Sequence, residues 1–178
     1  MYYVFYYFSV QYLHKVKGGL SVFSIGDRVV YPMYGAGIIE GIEEKLIDGV
    51  NIIYYVLGIS VGDLKIMVSM NKAEKGGLRY VSPADEVKNI VYEAKPIEMP
   101  DNWNQRYQNN LETLKTGDLF KTTEIFKTLT LRERVKSLSS IEKKLMGTAK
   151  QMILSEIILS HEVDKPLAEE LLMGCFAG

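Results

Sequence analysis

The side chains able to do acid–base, nucleophilic or metal chemistry are few and scattered in this 178-residue chain. The two histidines, His14 and His161, lie far apart and match no metal-ligand spacing. His161 stands beside Glu162 at a predicted helix end, where a histidine is ordinarily a solvated surface residue. The single cysteine, Cys175, excludes a disulfide framework and any multi-thiolate zinc site. With Leu171, Leu172 and Phe176 around it, Cys175 reads as a small residue on an apolar helix face. Glu43 and Glu44 are neighbours on a predicted strand, so they point to opposite faces and cannot work as a pair. No phosphate-binding loop, dinucleotide fingerprint, metalloprotease motif or nucleophile elbow is present. The chain is expected to be no enzyme and to use no metal or cofactor.

Binding chemistry is better represented. Trp103 is the only tryptophan and falls at the start of a predicted helix after Pro100-Asp101. Asn102 and Asn104 flank it, and Arg106 follows one turn on. One reading buries Trp103 in a core, as for most tryptophans. The other leaves it outside, where an aromatic at a helix start can wedge against an unstacked base or into a widened minor groove.

The charge pattern bears on the choice. The formal net charge is only -1. Residues 102–155 nevertheless hold ten basic and five acidic side chains, a net of +5, between acidic neighbours. Such a segment can neutralise only a few phosphates, so free DNA binding should be weak and salt-sensitive.

Two kinds of element must position these residues. From Phe23 the chain is rich in Val, Ile and Tyr and is cut by Asp48-Gly49 and Gly62-Asp63, a hairpin pattern with strands expected near 28–32, 37–46, 51–58 and 63–69. Strands so short and closely spaced suggest a small bent sheet or barrel, SH3- or Tudor-like. After about residue 80 the period is helical. Ser82-Pro83 opens a helix to about Ala94, Asp101 is the expected cap of the Trp103 helix, and Gly117 is its expected stop. Asp118 starts the next, Ser139-x-x-Glu142 is a capping box before a helix over 140–160, and Asp164 caps a last one. Ile141, Leu145, Ala149, Met152, Ile153 and Ile157 form the apolar stripe of the 140–160 helix. The fold class expected is α+β and multidomain. A small N-terminal β-barrel-like module occupies residues 23–75, and an all-α domain occupies 76–178.

Residues 1–22 stand apart. Seven of the chain's 19 aromatics fall in the first 13 residues, and the only charges of the segment, Lys15 and Lys17, follow its apolar run. That order is wrong for a secretory signal, and the uncharged run is too short for a membrane helix, which needs about 20 residues. Lys17-Gly18-Gly19 can be encoded by a purine-rich ribosome-binding sequence, with Val22 as a GTG start three codons on. The natural protein is therefore expected to begin at Val22, and residues 1–22 to be a non-native leader or disordered segment.

Taken together, the motifs resemble the CarD/CdnL family of bacterial transcription regulators, whose N-terminal module is shared with transcription-repair coupling factor. In the β half they are Phe23-Ser24-Ile25-Gly26-Asp27-Arg28-Val29-Val30-Tyr31-Pro32, Gly35-x-Gly37, Tyr54-x-Val56-Leu57 and Gly62-Asp63-Leu64. In the helical half they are Asn102-Trp103-x-x-Arg106-Tyr107, Asn110-Leu111-x-x-Leu114, Thr116-Gly117-Asp118 and Leu138-Ser139-x-x-Glu142-Lys143. The resemblance runs from Phe23 to about Leu172.

The resemblance implies that the N-terminal module docks on the β subunit of RNA polymerase, largely by β-strand addition. Lys45, Ile47 and Met67 then fall in the polymerase-facing strands. It implies that the helical domain reaches promoter DNA at the upstream edge of the transcription bubble, where Trp103 wedges into the minor groove and stabilises the open complex. Arg106, Lys143 and Lys150 become candidate phosphate contacts. Met67 stands where some relatives have arginine, and Gln105 and Gln108 where some are basic, which weakens those contacts. Tethering to polymerase removes the need for tight intrinsic DNA affinity. A cytoplasmic, nucleoid-associated monomer without membrane contact is expected. The rival readings are a polymerase- or repair-docking adaptor without a wedge, and an RNA- or ribosome-associated protein.

Overall fold

The computed structural model describes residues 23–73 and 75–175. The expectations for residues 1–22 and for Phe176 lie outside the described residues. The N-terminal part is one antiparallel sheet of five strands: β1 (Arg28–Tyr31), β2 (Gly35–Ile47), β3 (Val50–Ile59), β4 (Leu64–Ser69) and β5 (Arg79–Tyr80). Their order is β4-β3-β2-β1-β5, so the sheet is open, with β4 and β5 at its two edges. Asp48 and Gly49 both take positive φ, 51° and 78°, as a two-residue hairpin turn requires. Ile39, Tyr55, Leu57, Ile59 and Val68 line the buried face, closed by Phe23, Ala73 and Leu78. Neither β5 nor the one-turn helix α1 (Met70–Ala73) was expected, because segments of two and four residues carry no readable period. β5 pairs with β1 through Val29–Tyr80 and Val30–Arg79, so the sheet continues past the boundary expected at 75/76.

Five helices follow: α2 (Ala84–Glu93), α3 (Trp103–Lys115), α4 (Leu119–Val135), α5 (Ser140–His161) and α6 (Lys165–Gly174). Asp118 caps α4 by accepting from Lys121 N at 3.0 Å, and Asp164 caps α6 by accepting from Leu167 N at 3.0 Å. The Ser139–Glu142 capping box forms in both directions. Two caps differ from expectation. Asn102, not Asp101, caps α3, accepting from Asn104 N at 3.0 Å and Gln105 N at 3.1 Å. Pro83 holds the N-cap position of α2 with no side-chain bond, while Ser82 Oγ donates to Glu86 at 3.4 Å. The stripe of α5 is buried from Leu145 to Ile157, but Ile141 at its start is half exposed.

Helix α5 joins the two parts. Its 22 residues make a rod about 33 Å long. The second half of that rod seats the sheet. Ser155 Oγ accepts from Ala36 N at 2.7 Å, and Gln151 Nε2 donates to Val61 O at 3.3 Å. Arg28 Nη1 donates to Leu159 O at 2.9 Å. Arg79 grips Glu156 with both terminal nitrogens, at 2.7 and 2.8 Å, and also donates to Gly117 O at 3.0 Å. Gly35 lies at φ +96°, and a Cβ there would collide with Ser155 Oγ. Gly35→Ala should therefore cost about 2 kcal/mol of backbone strain and overlap, and lower the melting temperature by several degrees. An unchanged melting temperature would mean that the β1–β2 turn is not seated on α5.

Candidate nucleic-acid and docking surfaces

Trp103 is the first residue of α3 and is 56% exposed. The core reading of its indole is therefore excluded. Its exposure follows from its place: at the first helical position it precedes the buried face of α3, which carries Arg106, Asn110 and Leu114. What holds it in place is Arg106, one turn on.

Arg106 is only 3% exposed, so it is not the surface phosphate contact expected from its position in sequence. Its Nη2 lies 2.6 Å from Glu142 Oε1, and its Nε donates to the same oxygen at 2.7 Å. Its Nη1 donates to the carbonyls of Pro100 and Asp101 at 2.7 and 3.1 Å. Arg106 thus ties the chain entering α3 to the first turn of α5, and Trp103 is fixed between those two anchor points. Burial pushes the Glu142 carboxyl up, but hydrogen bonds from Ser139 and Arg106, with the attraction of the guanidinium, outweigh it and hold the group below its ordinary range.

Lys143 follows Glu142 and is half exposed, so it stands at the same end of the α3–α5 pair as Trp103. Its ammonium lies 3.0 Å from Glu133 Oε1. Lys150 is two turns further along, about 10 Å, and faces α6, with Glu169 Oε1 at 3.1 Å. Lys143 thus adjoins Glu142, the anchor of α3, while Lys150 stands two turns away against α6. Of the ten basic residues in 102–155, Arg106 and Lys127 are buried, so the +5 of sequence overstates the cationic surface. Burial pushes the Lys127 ammonium below its ordinary range. Sequence reasoning did not single out Lys115 and Lys144, both exposed and lining an open groove with Tyr31 and Tyr34. Only the fold brings those four residues together.

The second surface is the β2–β3 hairpin. β4 pairs with β3 only from Tyr54 to Ile59, and β1 pairs with β2 only from Gly35 to Ile38. Beyond those points the hairpin is a two-stranded ribbon with no sheet partner on either edge among the described residues. Leu46, Ile47 and Val50 are exposed at its tip. Lys45 Nζ meets Met67 Sδ at 3.0 Å, so two of the expected docking residues touch, with Ile47 beyond them. A ribbon with free edges and an apolar tip is suited to strand addition by a partner.

Among the described residues no group of His, Cys, Asp and Glu could hold a metal ion. No helix among them is long and apolar enough to cross a membrane.

Residues 23–82 match the family described as the CarD-like/TRCF RID domain, and residues 87–173 match the CarD C-terminal domain. The "Putative transcription factor YdeB" of Bacillus subtilis (strain 168) is 34% identical over 153 residues, covering 84% of this chain and 96% of that protein.

Proposed function

The chain belongs to the CarD/CdnL family, and from that membership we propose that it regulates transcription initiation by bridging RNA polymerase and promoter DNA. The sheet serves as the Tudor-like docking module. Its β2–β3 ribbon adds a strand to the polymerase β subunit, with Lys45, Ile47 and Met67 at the contact. The helical part presents Trp103 to the upstream edge of the transcription bubble, where the indole wedges at the junction and slows its collapse. Lys143 supplies a phosphate contact beside it, and Lys150 a more distant one. The protein performs no catalysis and works in the cytoplasm, on the nucleoid.

The exposed indole carries this reading. A lone tryptophan left more than half in solvent, in a helix turn held by a buried ion pair, loses the burial energy a core would supply. It is suited to stacking on a partner. Wedge insertion reads geometry and deformability more than base edges, so little sequence preference is expected.

Trp103→Ala should shorten the lifetime of the open promoter complex about tenfold, the equivalent of about 1.4 kcal/mol of stacking. Polymerase affinity, measured on promoter-free enzyme, should stay at the wild-type value. Loss of both together, or of neither, would sink the wedge. A second reading, a docking adaptor without a wedge, draws on the pairing of Lys143 with Glu133 and Lys150 with Glu169. It predicts polymerase binding that is intact and an open-complex lifetime indifferent to Trp103.

A further inference from the structure

An open groove of about 700 Å³ lies where the β1–β2 turn meets α3 and α5. Its chemistry is of one kind. Tyr31 and Tyr34 stack on each other, ring centroids 5.6 Å apart and planes 17° from parallel. Tyr34 is 41% exposed and Tyr31 is partly covered, so the pair offers an aromatic face to solvent. Lys115 and Lys144 stand on the groove's lining. Among the described residues Lys115 pairs with the exposed Glu112 of its own helix, at 2.7 Å. Among the described residues Lys144 has no acidic partner and no acidic side chain lines the groove. Lys72 and Lys75, both exposed, lie on the segment leading into Gly76, which also lines it.

The platform is held firmly. Tyr34 N donates to Tyr31 O at 3.1 Å, which closes the turn. Met33 within it takes φ +69°, a left-handed conformation that a non-glycine residue keeps only where its surroundings hold it. Gly35 then seats the turn on Ser155, and Gln151 Nε2 reaches Tyr34 O at 3.4 Å.

We propose that this groove binds an unpaired nucleotide of a nucleic-acid strand, the base stacked on Tyr34 and the adjoining phosphate held by Lys115 and Lys144. Parallel aromatic rings flanked by lysines are the common recipe for sequence-tolerant strand binding, since every base has a π face. An acidic peptide would satisfy the lysines but leave the stacked rings unused. The groove and Trp103 lie at opposite ends of one helix. Helix α3 runs from Trp103 to Lys115, about 18 Å, and Lys144 adjoins Lys143. Stacked as in a duplex, at 3.4 Å each, about five nucleotides cover that distance, and an unpaired, more extended strand covers it with fewer. This inference rests on the DNA-facing role of Trp103: a strand that separates at the indole has the length to reach the tyrosines.

The test uses the full chain and a forked DNA with an unpaired thymidine arm of about eight nucleotides, against the same duplex with a blunt end. Tyr34→Ala should weaken fork binding about tenfold, while Tyr34→Phe keeps it. Lys144→Gln should weaken it about threefold and lower the salt slope by about one. Blunt-duplex affinity should not change. Iodouracil in the arm should crosslink to Tyr34. Lys144 is exposed, so Lys144→Gln carries the test if Tyr34→Ala lowers the melting temperature. Unchanged fork affinity in both variants would overturn the proposal, as would equal losses on the blunt duplex. Displacement of the arm by thymidine monophosphate below millimolar concentration would overturn it in favour of a free-nucleotide site, and displacement by an acidic peptide in favour of a protein site. A fork affinity that responds to Tyr34 and not to Trp103 removes the wedge and keeps the groove. The reverse keeps the wedge and removes the groove.

Discussion

Arg106→Ala should destabilise the protein by about 3–5 kcal/mol and lower its melting temperature by about 10 °C, because it leaves Glu142 buried without its cation. The pair is nearly closed to solvent, with side chains 4% and 6% exposed, and the guanidinium also satisfies two backbone carbonyls before α3. A phosphate contact would behave in the opposite way, weakening DNA binding and leaving stability untouched. The same pair fixes an acid response. The Glu142 carboxyl is held below its ordinary range in the folded state, so its contribution is fully present above the unfolded value, about 4.3. It is lost as pH falls through the lower folded value. Glu142→Gln keeps a side chain that can complete the capping box but removes the charge. In urea titrations the wild type should lose stability more steeply than Glu142→Gln as pH falls below about 4.3, the unfolded value. Parallel pH profiles would show that the pair contributes nothing.

Arg79→Ala should cost about 3 kcal/mol, the lower end for a broken buried pair, since the Arg79 side chain is a third exposed while Glu156 is 1% exposed. Its larger effect is mechanical. Glu156 receives both terminal nitrogens of Arg79 and, at 3.3 Å, the amide of Ser82, so one carboxylate on α5 fixes β5 and the chain leading to α2. The other end of α5 fixes Trp103 through Arg106. The rod therefore sets the span between the β2–β3 ribbon and the indole. Replacing both Arg79 and Glu156 with leucine removes the charge penalty and should recover most of the stability. It does not restore the bidentate geometry. That double variant should bind polymerase like the wild type yet shorten open-complex lifetime several-fold, with a broader distance distribution between spin labels on the hairpin tip and on α3. A wild-type lifetime with a broadened distribution would show that the span is not what limits function.

Several elements were legible because their causes are local. Asp48-Gly49 marks a hairpin turn by its own backbone preference, and it formed between Ile47 and Val50. Ser139-x-x-Glu142 announces a helix start within one turn of chain, and the capping box is there. The ordered motifs from Phe23 to Leu172 pointed to the family that the comparisons identify. The cap of α3 slipped by one residue because Asp101 and Asn102 are both good caps, and Asp101 lends its carbonyl to Arg106.

The fates of the charged side chains were not legible. Arg106 and Glu142 are 36 positions apart, and Arg79 and Glu156 are 77 apart, so neither pair has a sequence signature. The same holds for the groove, whose tyrosines and lysines meet only when α3 and α5 close over the β1–β2 turn. Turns, most caps and the helical and strand periods could be read from the chain because each depends on residues within a turn or two of each other, and the family could be read because its motifs keep their order from Phe23 to Leu172. Tertiary structure alone decided which cations are buried as anchors and which face solvent, and that Trp103 stands outside the core, because exposure is a property of what packs against a side chain and not of its neighbours in the chain.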